Sequence, residues 1–202
     1  MSSWVDRLNK FTGKKRYVVS RIFLHLSGKE IAPILGILNQ AGRLAIESDG
    51  DLQKIGESLV EICEKCLQID INWRSAHNEG NVFWDEGEAG DYFNTLSTDS
   101  VSRFKSGSQL DDSPEDLEQI PLIVSATNNI VIMLSFAFIG EIPELETNLA
   151  DRFALETALK VIINLHYQDK FEAIGVYFSP SKFGDELTED QLLPNFPELI
   201  PL

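Results

Sequence analysis

The stretch Asn129-Ile130-Val131-Ile132-Met133-Leu134-Ser135-Phe136-Ala137-Phe138-Ile139-Gly140 constrains the fold of this chain more than any other. Odd and even positions are both apolar, and β-branched and aromatic side chains dominate, so neither face of a strand here would be wet. Asn128 and Asn129 open it and Gly140-Glu141-Ile142-Pro143 close it. The pattern predicts a strand over 128–140 that needs a covering layer on each side. The run from Ile130 to Ile139 is well short of the about 18 to 20 apolar residues that a membrane helix requires.

Two further strands are expected. Over 16–26, Val18, Ser20, Ile22, Leu24 and Leu26 share one face while Val19, Arg21, Phe23 and His25 share the other. One dry face and one half-wet face place this strand at or near a sheet edge. The third, 171–179, runs from Phe171 through Ile174, Val176 and Phe178. A helical segment lies between it and the strand at 128–140, an order that admits a right-handed parallel crossover.

The cover comes from amphipathic segments. Glu30 to Ile46 has helical spacing at Ile31, Ile34, Leu35, Leu38, Ala45 and Ile46, and Pro33 fits only its first turn. Leu52 to Ile69 repeats apolar residues every three or four positions, and the short Ser48-Asp49-Gly50-Asp51 link predicts a helical hairpin. Leu149 to Tyr167 is a third helix with Asn148 as its N-cap. Near the end, Thr188 with Glu189 and Asp190 starts a short helix that stops before Pro194.

Between Ile71 and Gln119 the pattern loosens, with one or two shorter helices expected near Phe83 to Leu96 and Thr98 to Lys105. From Glu79 to Gln119 eleven acids face only Arg103 and Lys105, and Ser106 to Glu118 has the Gly, Ser, Asp and Pro content of a loop. With 202 residues, 43% of them hydrophobic, the chain can bury one sizeable core. The expectation is an α+β fold: a small mixed three-stranded sheet covered by helices, with an N-terminal helical hairpin. A basic arm occupies 1–15, a single domain spans 16–202, and an acidic loop covers about 106–119.

Charge narrows the function. A net charge of −15 argues against nucleic-acid binding, which needs clustered cations. Over residues 1–16, Arg7, Lys10, Lys14, Lys15 and Arg16 oppose only Asp6, so peripheral contact with anionic lipid is open to the arm at about 1 kcal/mol per cation. A short solvated arm is the simpler reading, since no long apolar face accompanies the charge. The N-terminus has no signal-peptide core, and two Cys make no disulfide framework, which points to a reducing cytoplasm.

Candidate chemistry is sparse. Cys63-Glu64-Lys65-Cys66 has redox spacing but falls near a helix C-terminus, where the dipole raises thiol pKa values, and no second pair completes a zinc site. Core packing is the expected role of both thiols. Asp85-Glu86-Gly87-Glu88-Ala89-Gly90-Asp91 lacks the ligand alternation of a calcium loop and reads as a solvated acidic turn. His25 has no ligand partner at a useful spacing and reads as a surface or half-buried histidine. His77 with Glu79, and His166 beside Tyr167, are equally isolated. No nucleophile elbow, phosphate loop or dinucleotide fingerprint occurs. No catalytic, cofactor-binding or metal-binding residue is therefore assigned, and no cofactor is expected.

Two blocks resemble a cyanobacterial and chloroplast family, classed as a domain of unknown function, that includes fluctuating-light acclimation proteins. The first runs from Leu38-Asn39-Gln40-Ala41-Gly42-Arg43-Leu44 to Asp91-Tyr92-Phe93-Asn94-Thr95-Leu96-Ser97, with Arg103-Phe104. The second runs from Asn129-Ile130-Val131 through Ala173 to Phe178 and ends in Asp185 to Leu199. The resemblance implies a photosynthetic organism and a role in photosynthetic regulation without catalysis. Family members often carry an N-terminal membrane segment and a Gly-rich stretch that this sequence does not show, and the family offers no catalytic residue to carry over. The expected function is a non-catalytic interaction or regulatory protein that binds a protein partner or a second copy, through a sheet edge or the aromatic region Phe83 to Phe104. The alternatives are a thiol-dependent or hydrolytic enzyme and a small-ligand-binding domain.

Overall fold

The computed structural model describes residues 13–28, 31–105, 128–180 and 187–202. The basic arm falls outside these residues up to position 12, and so does the expected acidic loop.

Strand β1, Tyr17–Ser27, lies in the middle of the molecule. Helices α1, Ala32–Glu47, and α2, Leu52–Gln68, follow it, then strand β2, Trp73–Phe83, and helix α3, Glu86–Lys105. Strand β3, Asn129–Ile139, helix α4, Arg152–Tyr167, and strand β4, Phe171–Ser179, come next. The chain closes with helix α5, Glu189–Asn195, and the two-residue strand β5, Ile200–Pro201. The strands form one sheet in the order β4-β3-β1-β2-β5, and every neighbouring pair is antiparallel.

β3 is buried on both faces, as its sequence demands. Ile130, Ile132, Leu134, Phe136 and Phe138 meet the even positions of β1 in a core shared with α1, α2 and α4. Each such side chain taken fully out of water contributes about 1.5 to 3 kcal/mol, so this layer supplies most of the driving force for folding. On the opposite face Val19 and Ala137 pack under α3, while Phe23, Val131 and Met133 pack under Leu187 and Phe196 of the C-terminal segment.

Several expectations change. Among the described residues the sheet has five strands and every pairing is antiparallel, where three mixed strands were expected. β1 is the central strand rather than an edge, and its Arg21 and His25 are buried because a second layer covers that face too. β4 returns antiparallel to β3, so no parallel crossover forms between them. β2 escapes a pattern reading because His77-Asn78-Glu79-Gly80-Asn81 is polar; backbone pairing to β1 from Phe83 to Trp73 holds it. α3 is one helix of twenty residues, started by Asp85, whose carboxylate accepts from the Glu88 amide at 3.1 Å.

The ends of the helices follow local chemistry. Pro33 sits in the first turn of α1, and Asp51 caps α2 by accepting from the Gln53 and Lys54 amides. α1 and α2 pack on each other as the expected hairpin. α4 begins at Asp151, which accepts from Ala154 N at 2.9 Å, and Asn148 instead accepts from Ala150 N before the helix. Thr188 and Gln191 form a capping box on α5, which runs through Pro194 because only one donor is lost in its last turn and Phe196 N closes onto Leu192 O. Among the described residues no helix is long and apolar enough to cross a membrane.

Candidate functional site

Arg21 is the most conspicuous polar residue of the second face. β1 carries it to the centre of the sheet, where it is 2% exposed. Its Nε and Nη2 donate to Glu79 Oε1 at 2.9 and 2.5 Å, and its Nη1 donates to Leu96 O and Ser100 Oγ and pairs with Asp99 at 2.7 Å. The guanidinium lies 4.6 Å from the centre of the Phe23 ring. Arg103 continues the network to Asp99 and Glu198. Partial burial pushes the Asp99 carboxyl up, but hydrogen bonds from Arg21 and Arg103 and their charges outweigh it and hold the group below its ordinary value. All these bonds join β1, β2, α3 and the C-terminal segment to one another, which makes the network a staple and leaves nothing aimed at a substrate.

His25, expected as a surface or half-buried histidine, is buried at 8% exposure. Asn129 Nδ2 donates to Leu187 O at 3.0 Å, so its Oδ1 faces His25 Nε2 at 3.1 Å. Nε2–H then donates to Asn129, and Nδ1 accepts from the Ser75 hydroxyl at 3.1 Å. The order Ser, His, Asn resembles a nucleophile, base and orienter. Ser75, however, is 9% exposed and stands opposite Pro201 where β5 pairs on β2, so the arrangement satisfies buried polar groups rather than opening to a substrate.

The thiols take the packing role expected of them. Cys63 and Cys66 are fully buried in the main core, and Trp73 Nε1 donates to Cys66 O at 3.0 Å. Burial pushes the Cys66 thiol up to about 12 and raises Cys63 well above its ordinary value. The stretch Asp85 to Asp91 is the cap and first turn of α3. Among the described residues no group of three or more His, Cys, Asp and Glu is placed to hold a metal ion. His77 packs its ring 5.9 Å from Phe23, and His166 is buried while Tyr167 is exposed. Phe83 at the end of β2 and Tyr92 and Phe93 of α3 are half-buried against the second core.

The two ends of the sheet differ sharply. β2 is covered on its outer side by the chain itself: β5 pairs with Ser75 and Ala76, Leu202 N donates to Arg74 O, and Asn78 bonds Thr147 O and Leu149 N at 2.8 Å each. A cleft of about 650 Å³ remains beside it, walled by Glu79, Asn81, Tyr92 and Glu146. β4, at the other end, pairs only with β3 among the described residues. Its nine residues include one charge, Glu172, and Ile174, Val176 and Tyr177 are half-buried. A long apolar edge with so little charge is the kind that pairs with another chain.

Beside that edge lies a pocket of about 420 Å³ between β4 and α3. Ala89, Gly90, Ala137 and Ala173 form its small-residue lining, Tyr17 and Phe93 add aromatic walls, and Glu86 and Glu172 bring two carboxylates. Tyr17 donates to Glu86 at 3.3 Å. Burial first, then the negative charges of Glu86, Glu172 and Asp85, push the Tyr17 phenol above its ordinary value. Sequence reasoning missed Glu86 and Glu172 because they lie on different elements, 86 positions apart in the chain. Glu172 alone gave a signal, as the single charge inside an apolar strand.

A family model described as "Protein of unknown function (DUF1517)" matches residues 16–202. Neither the curated proteins nor the solved structures yield a match.

Proposed function

We propose, for a chain that belongs to the DUF1517 family of proteins of unknown function, that it works without chemistry of its own, taking an extended segment of a partner protein onto the outer edge of β4. The observation that carries this reading is the asymmetry of the sheet: its β2 end is capped by the chain's own C-terminus, while its apolar β4 end has no neighbouring strand among the described residues. Strand addition uses backbone hydrogen bonds for affinity and alternate side chains for specificity. The buried, high-pKa thiols speak against the rival reading of a thiol enzyme.

The likeness of the two sequence blocks to fluctuating-light acclimation proteins supports a regulatory setting in a photosynthetic cell. Free, reduced cysteines support a cytoplasmic one. In this reading residues 16–202 act as one domain, and the basic arm at 1–15 is available for weak contact with anionic lipid.

The test compares wild type with Val176→Lys, which adds charge to β4 at a half-buried residue that stands opposite Leu134 of β3. Both are used to capture partners from host lysate, with thermal melts confirming equal folding. A protein held by wild type and lost with Val176→Lys supports the reading. Equal retention by both, or a strict monomer that holds nothing, overturns it.

A further inference from the structure

We propose that the segment received by β4 carries a lysine or arginine whose cationic head seats in the pocket between Glu86 and Glu172. This rests on the reading of β4 as the docking edge and specifies what docks there.

The placement follows from the pleat. Ala173 stands opposite Ala137 of β3, and both line the pocket on the α3 side of the sheet. A residue opposite Ala173 on an added strand, one strand spacing of about 4.8 Å further out, points to the same side and reaches the pocket mouth. Its neighbours in sequence point to the other face, towards Ile174 and Val176, where apolar side chains fit. The partner signature is therefore a basic residue flanked by apolar ones in an extended segment.

The pocket suits a cationic side chain rather than an apolar or acidic one. The small residues leave room for a methylene stem, and Tyr17 and Phe93 add aromatic surface beside it. Among the described residues no Lys or Arg lines the pocket, and neither Glu86 nor Glu172 has a cationic partner. The net charge of −15 adds long-range attraction for a basic segment and repels a second copy. β4 itself, Phe171–Ser179, contains no cation to offer a symmetry mate.

The experiment uses fluorescein-labelled, capped nine-residue peptides that alternate threonine and valine, with lysine, norleucine or glutamate at the centre. Binding to the full chain is read by anisotropy at low salt, and light scattering follows the oligomeric state. The lysine peptide is expected to bind about tenfold more tightly than the norleucine peptide, a ratio worth about 1.4 kcal/mol. Glu172→Gln and Glu86→Gln are each expected to shrink that ratio below about threefold, as is raising the salt. Equal binding of the lysine and norleucine peptides, with both lost on Val176→Lys, overturns the cation pocket and leaves the docking edge standing. Binding by none of the peptides overturns both, and a stable dimer that excludes them assigns the edge to a second copy instead.

Discussion

Gly56 of α2 and His166 of α4 stand so close that a β-carbon on Gly56 would lie 2.3 Å from His166 Nδ1. The two helices cross through this contact, over the buried side chains of Leu59 and Ile162. Gly56→Ala gains about 1 kcal/mol of helix propensity. It must also displace a buried imidazole, an overpacking cost of about 1 to 3 kcal/mol or more. The expected outcome is net destabilisation, read as a lower midpoint in urea, whereas Gly36→Ala on α1, where a β-carbon meets nothing within 4 Å, is expected to be neutral or stabilising.

Arg21 ties β2 and α3 to the central strand, and its loss leaves Glu79 without its cation and Asp99 with Arg103 alone. Those carboxylates keep 35% and 39% of their side-chain surface in water, so they are resolvated on mutation. Arg21→Met is therefore expected to cost about 2 to 4 kcal/mol, below the about 3 to 5 of a fully buried pair. Arg103→Met, at a side chain 22% exposed, is expected to cost less. Denaturant titration of both variants checks the order.

His25 gives the protein a pH dependence of definite sign. Burial holds the imidazole below its ordinary value and the charge of Arg74 adds to this, while the bond to Asn129 and the charge of Glu189 oppose it. The unfolded chain then binds the proton more readily than the folded one. Stability from this group is complete above the unfolded value of about 6.5 and falls as pH drops through the lower folded value. Replacement by His25→Gln is expected to flatten the wild-type loss of stability between neutral pH and about pH 5.5, measured by urea midpoints across that range.

Cys63 and Cys66 are expected to be silent in the native protein. With its thiol pushed up to about 12, Cys66 is on the order of one part in 10⁵ thiolate at pH 7. Titration with an aromatic disulfide reagent should release two equivalents only after guanidinium is added. Rapid reaction of either thiol in the folded state would contradict the packing role given to both.

Much of the framework was legible along the chain. The apolar run at β3, the three-four spacing of α2, the Thr188 cap and the burial of both cysteines each rest on a local pattern that the folded protein keeps. β2 was not legible, because an antiparallel strand held by backbone bonds to β1 needs no apolar side chains at Asn78, Glu79 or Asn81. The candidate site was almost wholly hidden for a related reason: Glu86 begins a helix, Glu172 sits in a strand, and only packing brings both to one pocket.

The residues alone determined where burial had to occur: a segment apolar on both parities must be covered twice, and helices with one apolar stripe must supply the cover. They did not determine strand neighbours, because backbone hydrogen bonds carry no sequence label and any strand edge can satisfy another. Tertiary structure decided that β1 takes the middle, that the C-terminus caps β2, and that β4 is left as the apolar end, with carboxylates from α3 and β4 at the pocket beside it.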